Sequence, residues 1–91
     1  MILAFHRIFI KEFERVPSYV KVKVLDFFEL VNVSESLDGL TGVTRLTGYE
    51  NYYRYRVGDY RIGLCVGVDD KVRVCNVLTI KPRGKIYKSF P

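Results

Sequence analysis

The octapeptide Arg-Tyr-Arg-Val-Gly-Asp-Tyr-Arg, residues 54–61, decides how this chain folds. Before its glycine, aromatic or apolar residues alternate with arginines, which is the two-residue period of a strand with one buried face. Gly58-Asp59 suits a two-residue hairpin of type II′, because glycine readily adopts the positive φ of the first turn position. The chain from Tyr60 onward is therefore predicted to return as the next antiparallel strand.

The same hairpin gathers positive charge on one face of the sheet. With a two-residue loop, Arg56 lies directly opposite Arg61, and Arg54 comes one step along on the same face. Like charges placed opposite each other destabilise a strand pair by roughly 0.2–1 kcal/mol. Since folding alone does not favour this cluster, an anionic ligand is the simplest compensation.

Basic residues are distributed unevenly along the 91-residue chain, whose formal net charge is +5. Residues 1–49 carry six Lys or Arg side chains against six Asp or Glu, whereas residues 50–91 carry nine against four. The whole excess therefore lies in the half that contains the hairpin. This asymmetry predicts a phosphate-bearing or acidic ligand for the C-terminal half, although a basic face that only aids solubility would explain it too.

Length and composition suggest a small cytoplasmic protein. We expect residues 1–91 to form one domain. No apolar run approaches the ~20 residues of a membrane span, and the apolar N-terminus is too short for a signal-peptide core. Cys65 and Cys75 lack Cys-x-x-Cys spacing and the single histidine is distant, so we expect reduced, packed thiols and neither metal nor cofactor.

Two helices are predicted before the sheet. Residues 5–16 place aromatic and apolar side chains at spacings of three and four, which is typical of an amphipathic helix. Pro17 ends this helix, and Ser18 is placed to cap the next one. Residues 19–33 fit both an alternating strand and a helical stripe. We favour a helix, because two helices joined by a short turn can cover one face of a sheet.

Three antiparallel strands are predicted at about residues 49–57, 60–68 and 72–81. Residues 32–47, rich in Ser, Gly, Thr, Asp and Asn, are typical of a connecting loop. The turn near Asp70 admits two or three residues. Three would place Cys65 opposite Cys75, and two would put the cysteines out of register.

Alternation sorts these strands into a core face and a second face. The core face is predicted to carry Tyr53, Tyr55, Val57, Tyr60, Ile62, Leu64, Val66, Val68, Val72, Val74, Asn76, Leu78 and Ile80. The second face is predicted to carry Tyr52, Arg54, Arg56, Arg61, Gly63, Cys65, Gly67, Arg73, Cys75, Val77, Thr79 and Lys81. Because glycine weakens strands, Gly63 and Gly67 favour a shallow groove with basic sides for a phosphate backbone over a plain solvated face. Asn76, if buried, needs hydrogen-bond partners.

The C-terminal segment Lys-Pro-Arg-Gly-Lys-Ile-Tyr-Lys, residues 81–88, follows the last predicted strand. Pro82 and Gly84 stop the strand, and a turn or short helix leaves Tyr87 among four basic residues. Tyr87 can anchor the C-terminus by packing. It can also stack on a base or share a proton with a phosphate.

The order helix, helix, loop and three strands, with Arg-Val-Gly-Asp-Tyr-Arg-Ile at 56–62 and Lys-Pro-Arg-Gly-Lys-Ile-Tyr at 81–87, resembles the RelE/ParE toxin superfamily. The resemblance implies an α+β, microbial RNase-like fold, in which an N-terminal helical hairpin packs on one face of a small antiparallel sheet. It also implies a strand before the helices, for which only residues 1–4 remain. Such toxins are neutralised by a cognate antitoxin, which we expect to be acidic.

In the RelE-type branch, which we favour, these toxins are mRNA interferases. They cut mRNA in the ribosomal A site by attack of a ribose 2′-hydroxyl on the adjacent phosphate. The resemblance implies that the catalytic residues are Arg61, Lys81, Arg83 and Tyr87. RNA phosphates are expected to contact Arg54 and Arg56, where that branch commonly has lysines, together with Arg73 and Lys85. The two catalytic arginines would stabilise phosphorane charge, and the tyrosine would orient a base or take part in proton transfer.

The sequence leaves the general base and the target open. Arginine holds its proton with a pKa above ~12, so Arg54 and Arg56 are poor bases. Lys81 is the better candidate, and Glu50 is the only acid just before the hairpin. The alternative function is a ParE-like inhibitor of DNA gyrase, or a family member that acts by binding only. The oligomeric state is also open.

Overall fold

The structure is a computed structural model that describes residues 1–91. Its elements, in chain order, are β1 (Ile2–Phe5), α1 (Arg7–Phe13), α2 (Ser18–Asn32), β2 (Val43–Arg45), β3 (Tyr52–Val57), β4 (Tyr60–Asp69), β5 (Val72–Pro82) and α3 (Arg83–Ser89). None of the three helices has both the length and the apolar character needed to traverse a bilayer.

One five-stranded sheet organises the molecule, with the strand order β1-β5-β4-β3-β2. The three predicted antiparallel strands form its centre. Two short strands extend it: β1 pairs parallel with β5, and β2 pairs antiparallel with β3. The predicted α+β fold is confirmed, and the complete sheet is mixed. The loop predicted for residues 32–47 was wrong in part, because β2 lies within it. A strand of three residues is too short to show an alternating pattern in the sequence.

Both turns of the central meander have two residues. In the first, Val57 lies opposite Tyr60, as predicted, and of the two turn residues only Gly58 has a positive φ, +56°. In the second, Asp70 and Lys71 both have positive φ, 49° and 68°, which is the pattern of a type I′ turn.

The second turn also decides the register of the cysteines. Cys65 lies opposite Asn76, and Cys75 lies opposite Val66. Of the two alternatives that the sequence allows, the out-of-register one is therefore correct. Both thiols are free.

A register shift in the β4–β5 ladder changes which residues of β5 face the helices. Ile62 lies opposite Ile80, as alternation predicts, but Leu64 lies opposite Val77 rather than Leu78. One extra residue on β5 is the signature of a β-bulge. The side chains of β5 before this point therefore lie on the opposite face from the one that uninterrupted alternation predicts.

The bulge corrects the predicted faces over residues 72–78. Three residues predicted for the second face lie on the helix side: Arg73, Cys75 and Val77. Four predicted for the core face lie on the opposite side: Val72, Val74, Asn76 and Leu78. Asn76 is half-buried, and its side-chain amide donates to the backbone oxygen of Cys65 at 3.1 Å.

Helices α1 and α2 cover one face of the sheet. The predicted helix over residues 19–33 is confirmed, whereas the first helix begins only at Arg7, since Phe5 belongs to β1. The predicted cap was wrong: Pro17 occupies the N-cap position of α2, and Ser18 is already helical. Sixteen buried residues, among them Val20, Val24, Ile62 and Leu64, form the core between the helices and the sheet.

The opposite face is covered only in part, by α3 and the chain end. Leu46, Ile86 and Phe90 form a small second core there. A Cβ added to Gly63 would lie 2.7 Å from the Phe90 ring. The groove predicted over Gly63 is therefore filled by an aromatic side chain, which needs the glycine for close approach.

Candidate functional site

A cavity of about 440 Å³ opens on the face opposite helices α1 and α2. Its walls come from the residues around β2, from the β3–β4 hairpin and from α3. The lining residues are Gly42, Val43, Thr44, Arg54, Arg56, Arg61 and Tyr87. Three of the seven are arginines, brought together because Arg56 lies opposite Arg61 and Arg54 shares their face.

The structure holds two of these arginines in place. The Arg61 Nη1 group donates to the carbonyls of Gly58 at 2.9 Å and Tyr60 at 2.8 Å, so its guanidinium is fixed over the hairpin turn. The Arg54 guanidinium lies 4.6 Å from the centre of the Tyr87 ring, a cation–π contact. The buried Nε of Arg54 has no hydrogen-bond partner.

No carboxylate lines the cavity. The ion pairs of the molecule are Arg45–Asp38, at 3.2 Å, and Lys81–Glu12. The positive charges of the three cavity arginines are therefore not neutralised by the protein's own acids. Guanidinium groups gathered in this way suit phosphate oxygens, to which they donate bidentate, charge-assisted hydrogen bonds.

Lys81 lies opposite Arg61 in the ladder but does not line the cavity. Its Nζ donates to the Glu12 carboxylate, which also accepts from the Thr79 hydroxyl and, at 3.1 Å, from the backbone N–H of Ile80. Glu12 thus fastens α1 to the edge of β5. The structure therefore does not bring Lys81, the predicted general base, into the cavity of the three arginines.

The remaining predicted residues lie outside the cavity. Arg83 is exposed at the start of α3, where its backbone N–H donates to the carbonyl of Asp59 at 2.8 Å. Lys85 lines a separate cavity with Glu12 and Lys81. Arg73 lies opposite Val68 at the far end of the sheet, on the helix side because of the bulge. Glu50 is exposed in the β2–β3 connection.

Comparison with known proteins identifies the family. Toxin RelE3 of Methanocaldococcus jannaschii is 34% identical over 92 residues, and the match covers all of both chains. This chain belongs to the RelE family of toxins. A scan of protein-family models finds no match.

Solved structures of RelE toxins share the fold. A RelB-RelE antitoxin-toxin complex from Methanococcus jannaschii matches at 31% identity and a TM-score of 0.74, covering 96% of this chain and 98% of that one. An archaeal RelE-RelB complex from Pyrococcus horikoshii OT3 matches at 27% identity and a TM-score of 0.73, covering 92% and 96%. The family predicted from the hairpin and the C-terminal segment is confirmed.

The sequence-based prediction missed the part of the cavity wall that β2 supplies. Gly42, Val43 and Thr44 wall the cavity because β2 pairs with β3, which places Thr44 opposite Arg54. The β-branched pair Val43-Thr44 is the one local signal for a strand there.

Two further ionisable groups of this RelE chain do not line the arginine cavity. Arg45 donates to the Tyr53 hydroxyl at 2.7 Å, and this bond, with Asp38, raises the pKa of the guanidinium. Burial raises the pKa of the Cys75 thiol to about 11. No three His, Cys, Asp or Glu side chains meet in a group that could hold a metal ion.

Proposed function

We propose that this RelE toxin is a ribosome-dependent endoribonuclease that cleaves mRNA. The observation that carries the proposal is the acid-free cavity lined by Arg54, Arg56, Arg61 and Tyr87. Three arginines line this one cavity, and the exposed phenol of Tyr87 lines it with them. This combination suits one RNA phosphate with its flanking ribose and base.

The proposed reaction is an internal transfer at the bound phosphate. The ribose 2′-oxygen bonds to phosphorus, the bond to the 5′-oxygen breaks, and the 2′-hydroxyl proton ends on that leaving oxygen. The products are a 2′,3′-cyclic phosphate and a 5′-hydroxyl. Arg56 and Arg61 stabilise the charge that develops on the phosphorane oxygens, while Tyr87 orients the adjacent base or takes part in the proton transfer.

This chain contributes mainly charge stabilisation to that reaction. Its cavity contains no imidazole or carboxylate, and arginines do not give up their protons. The groups that complete proton transfer therefore come from Tyr87, from solvent or from the ribosome. The cavity supplies groups that bind a phosphate but no imidazole or carboxylate that could act as general base. A contribution from the ribosome would complete such a site.

The test is to add the purified chain to a cell-free translation reaction and map the 5′ ends of the mRNA. We expect new ends within ribosome-bound codons, each carrying a 5′-hydroxyl, and no cleavage when ribosomes are omitted. Intact mRNA with unimpaired translation would refute the proposal.

The second candidate function is inhibition by binding alone, as in a ParE-like inhibitor of DNA gyrase. The observation that favours it is the Lys81–Glu12 ion pair, which removes the best candidate base from the cavity. A DNA supercoiling assay with purified gyrase tests the gyrase version. Unchanged supercoiling at excess protein would eliminate it.

We also propose that the chain works in the cytoplasm and is neutralised by a cognate acidic antitoxin. Two structural neighbours are antitoxin–toxin complexes, and a net charge of +5 favours an acidic partner. Exposed apolar side chains on the helices, namely Ile8, Tyr19, Val22 and Leu25, offer it a surface. Co-expression with the neighbouring open reading frame should restore growth and yield a co-purifying complex.

A further inference from the structure

A second cavity, of about 340 Å³, lies directly beside the arginine cavity. The two share Thr44 and Arg54 as walls. The other lining residues of the second cavity are Arg45, Leu46, Thr47 and Tyr49. Because the shared residues separate the two spaces, a chain-like ligand held in the first cavity can continue into the second.

Tyr49 is the aromatic wall of this second cavity, and its side chain is 51% exposed. Its aromatic neighbour is Tyr52, in an edge contact with the centroids 6.3 Å apart. The backbone fixes the loop that carries it: the N–H of Leu46 donates to Tyr52 at 2.9 Å, and the carbonyl of Asn51 accepts from Val66 at 2.9 Å. The ring is thus presented at the surface by a tied loop, which lowers the entropic cost of stacking a base on it.

Arg54 connects the two spaces electrostatically. Its guanidinium contacts the Tyr87 ring in the first cavity, it lines the second, and it forms no ion pair. Arg45, by contrast, already pairs with Asp38. The free charge therefore lies between the cavities, where the phosphate linking two successive nucleotides would sit.

We infer that the second cavity is a nucleotide subsite of the toxin. It takes the RNA nucleotide next to the one whose phosphate lies on the three arginines, with its base stacked on Tyr49. The hydroxyls of Thr44 and Thr47 are available to hydrogen bond that base or its ribose. An RNA occupant is favoured over a peptide because the wall combines an exposed ring, hydroxyls and unpaired cationic charge, the elements of single-strand binding. This inference rests on the proposed function and extends the RNA path along the protein.

The test measures RNA binding apart from cleavage, with a 2′-O-methylated hexanucleotide that lacks the attacking hydroxyl. Stacking contributes ~1–3 kcal/mol per base, so Tyr49→Ala should weaken hexamer binding at least about fivefold. Binding of a 2′-O-methylated nucleoside monophosphate, whose single nucleotide can fill the arginine cavity without extending into the second, should stay unchanged. Tyr49→Phe keeps the ring and should retain wild-type affinity.

Tyr19→Ala is the matched control, since Tyr19 is a similarly exposed tyrosine, 57%, that lines neither cavity. Thermal melting of each variant verifies folding. The subsite is refuted if Tyr49→Ala and Tyr19→Ala bind the hexamer alike, if the wild-type chain does not bind it, or if Tyr49→Ala weakens only an antitoxin peptide. A chain that binds the hexamer through Tyr49 but never cuts mRNA would refute the nuclease and leave the subsite standing.

Discussion

The two faces of the central sheet differ in what the same strands present to each side. On the helix side, sixteen buried residues from α1, α2, the sheet and their connections form the main core. On the opposite side a small cluster of three buried hydrophobic residues, Leu46, Ile86 and Phe90, lies beside a cavity with three arginines that form no ion pair. The contrast shows how a 91-residue chain can carry a ligand site: one face supplies stability, and the other keeps its charges available to a ligand.

The largest expected effect is on the rate of mRNA cleavage, and it distinguishes Arg56 in the cavity from Arg73 on the helix side. Arg56→Ala should slow mRNA cleavage ~10²–10³-fold, because it removes a preorganised charge from the transition state. Arg73→Ala is the same substitution at another exposed arginine of the sheet, and it should leave the rate unchanged. Cleavage rates in a reconstituted translation system provide the measurement. Equal losses would mean that overall charge, rather than the cavity, drives activity.

The second-largest expected effect is on the pH dependence of stability, and it distinguishes the buried Cys75 from the half-buried Cys65. The pKa of Cys75 is raised from 9.0 to about 11 because the thiolate is disfavoured by burial. Between those pH values the unfolded chain loses this proton while the folded chain keeps it. The stability contributed by the neutral thiol should therefore fall by about 2–3 kcal/mol as the pH rises from 9 to 11.

Urea unfolding across that pH range measures this loss. Cys75→Ala should flatten this component of the pH dependence, whereas Cys65→Ala should keep most of it, since burial is the main cause of the raised Cys75 pKa and Cys65 a minor one. Identical profiles for both variants would show that Cys75 titrates normally.

The smallest effect uses two glycines of β4. Gly63→Ala places a methyl group against the Phe90 ring and should destabilise the fold by about 1–3 kcal/mol. At Gly67 the nearest atom would be the Asn76 amide nitrogen, 3.8 Å away, so Gly67→Ala should be neutral or stabilising by roughly 0.5–1 kcal/mol. Denaturant titrations of the two variants measure these changes in the free energy of unfolding. A tolerated Gly63→Ala would mean that the chain end is not held on the sheet.

Much of the fold could be read from local pattern. Alternation on either side of Gly58-Asp59 specified the hairpin register, because a two-residue turn allows only one pairing. The same register brought Arg54, Arg56 and Arg61 onto one face, which is the centre of the candidate site. The second helix also followed from its apolar stripe, although its β-branched residues fit a strand as well.

Local sequence was thus enough to predict the hairpin, the helical pair and the shared face of the three arginines, since each depends on neighbours along the chain or across one short turn. Three features depend instead on long-range packing: the faces of β5, the filling of the space over Gly63 by Phe90, and the partner of Lys81. Glu12 lies 69 residues before that lysine. A bulge, a docked chain end and a distant ion pair form only when remote segments pack together. No local pattern of apolar and polar residues can therefore predict them.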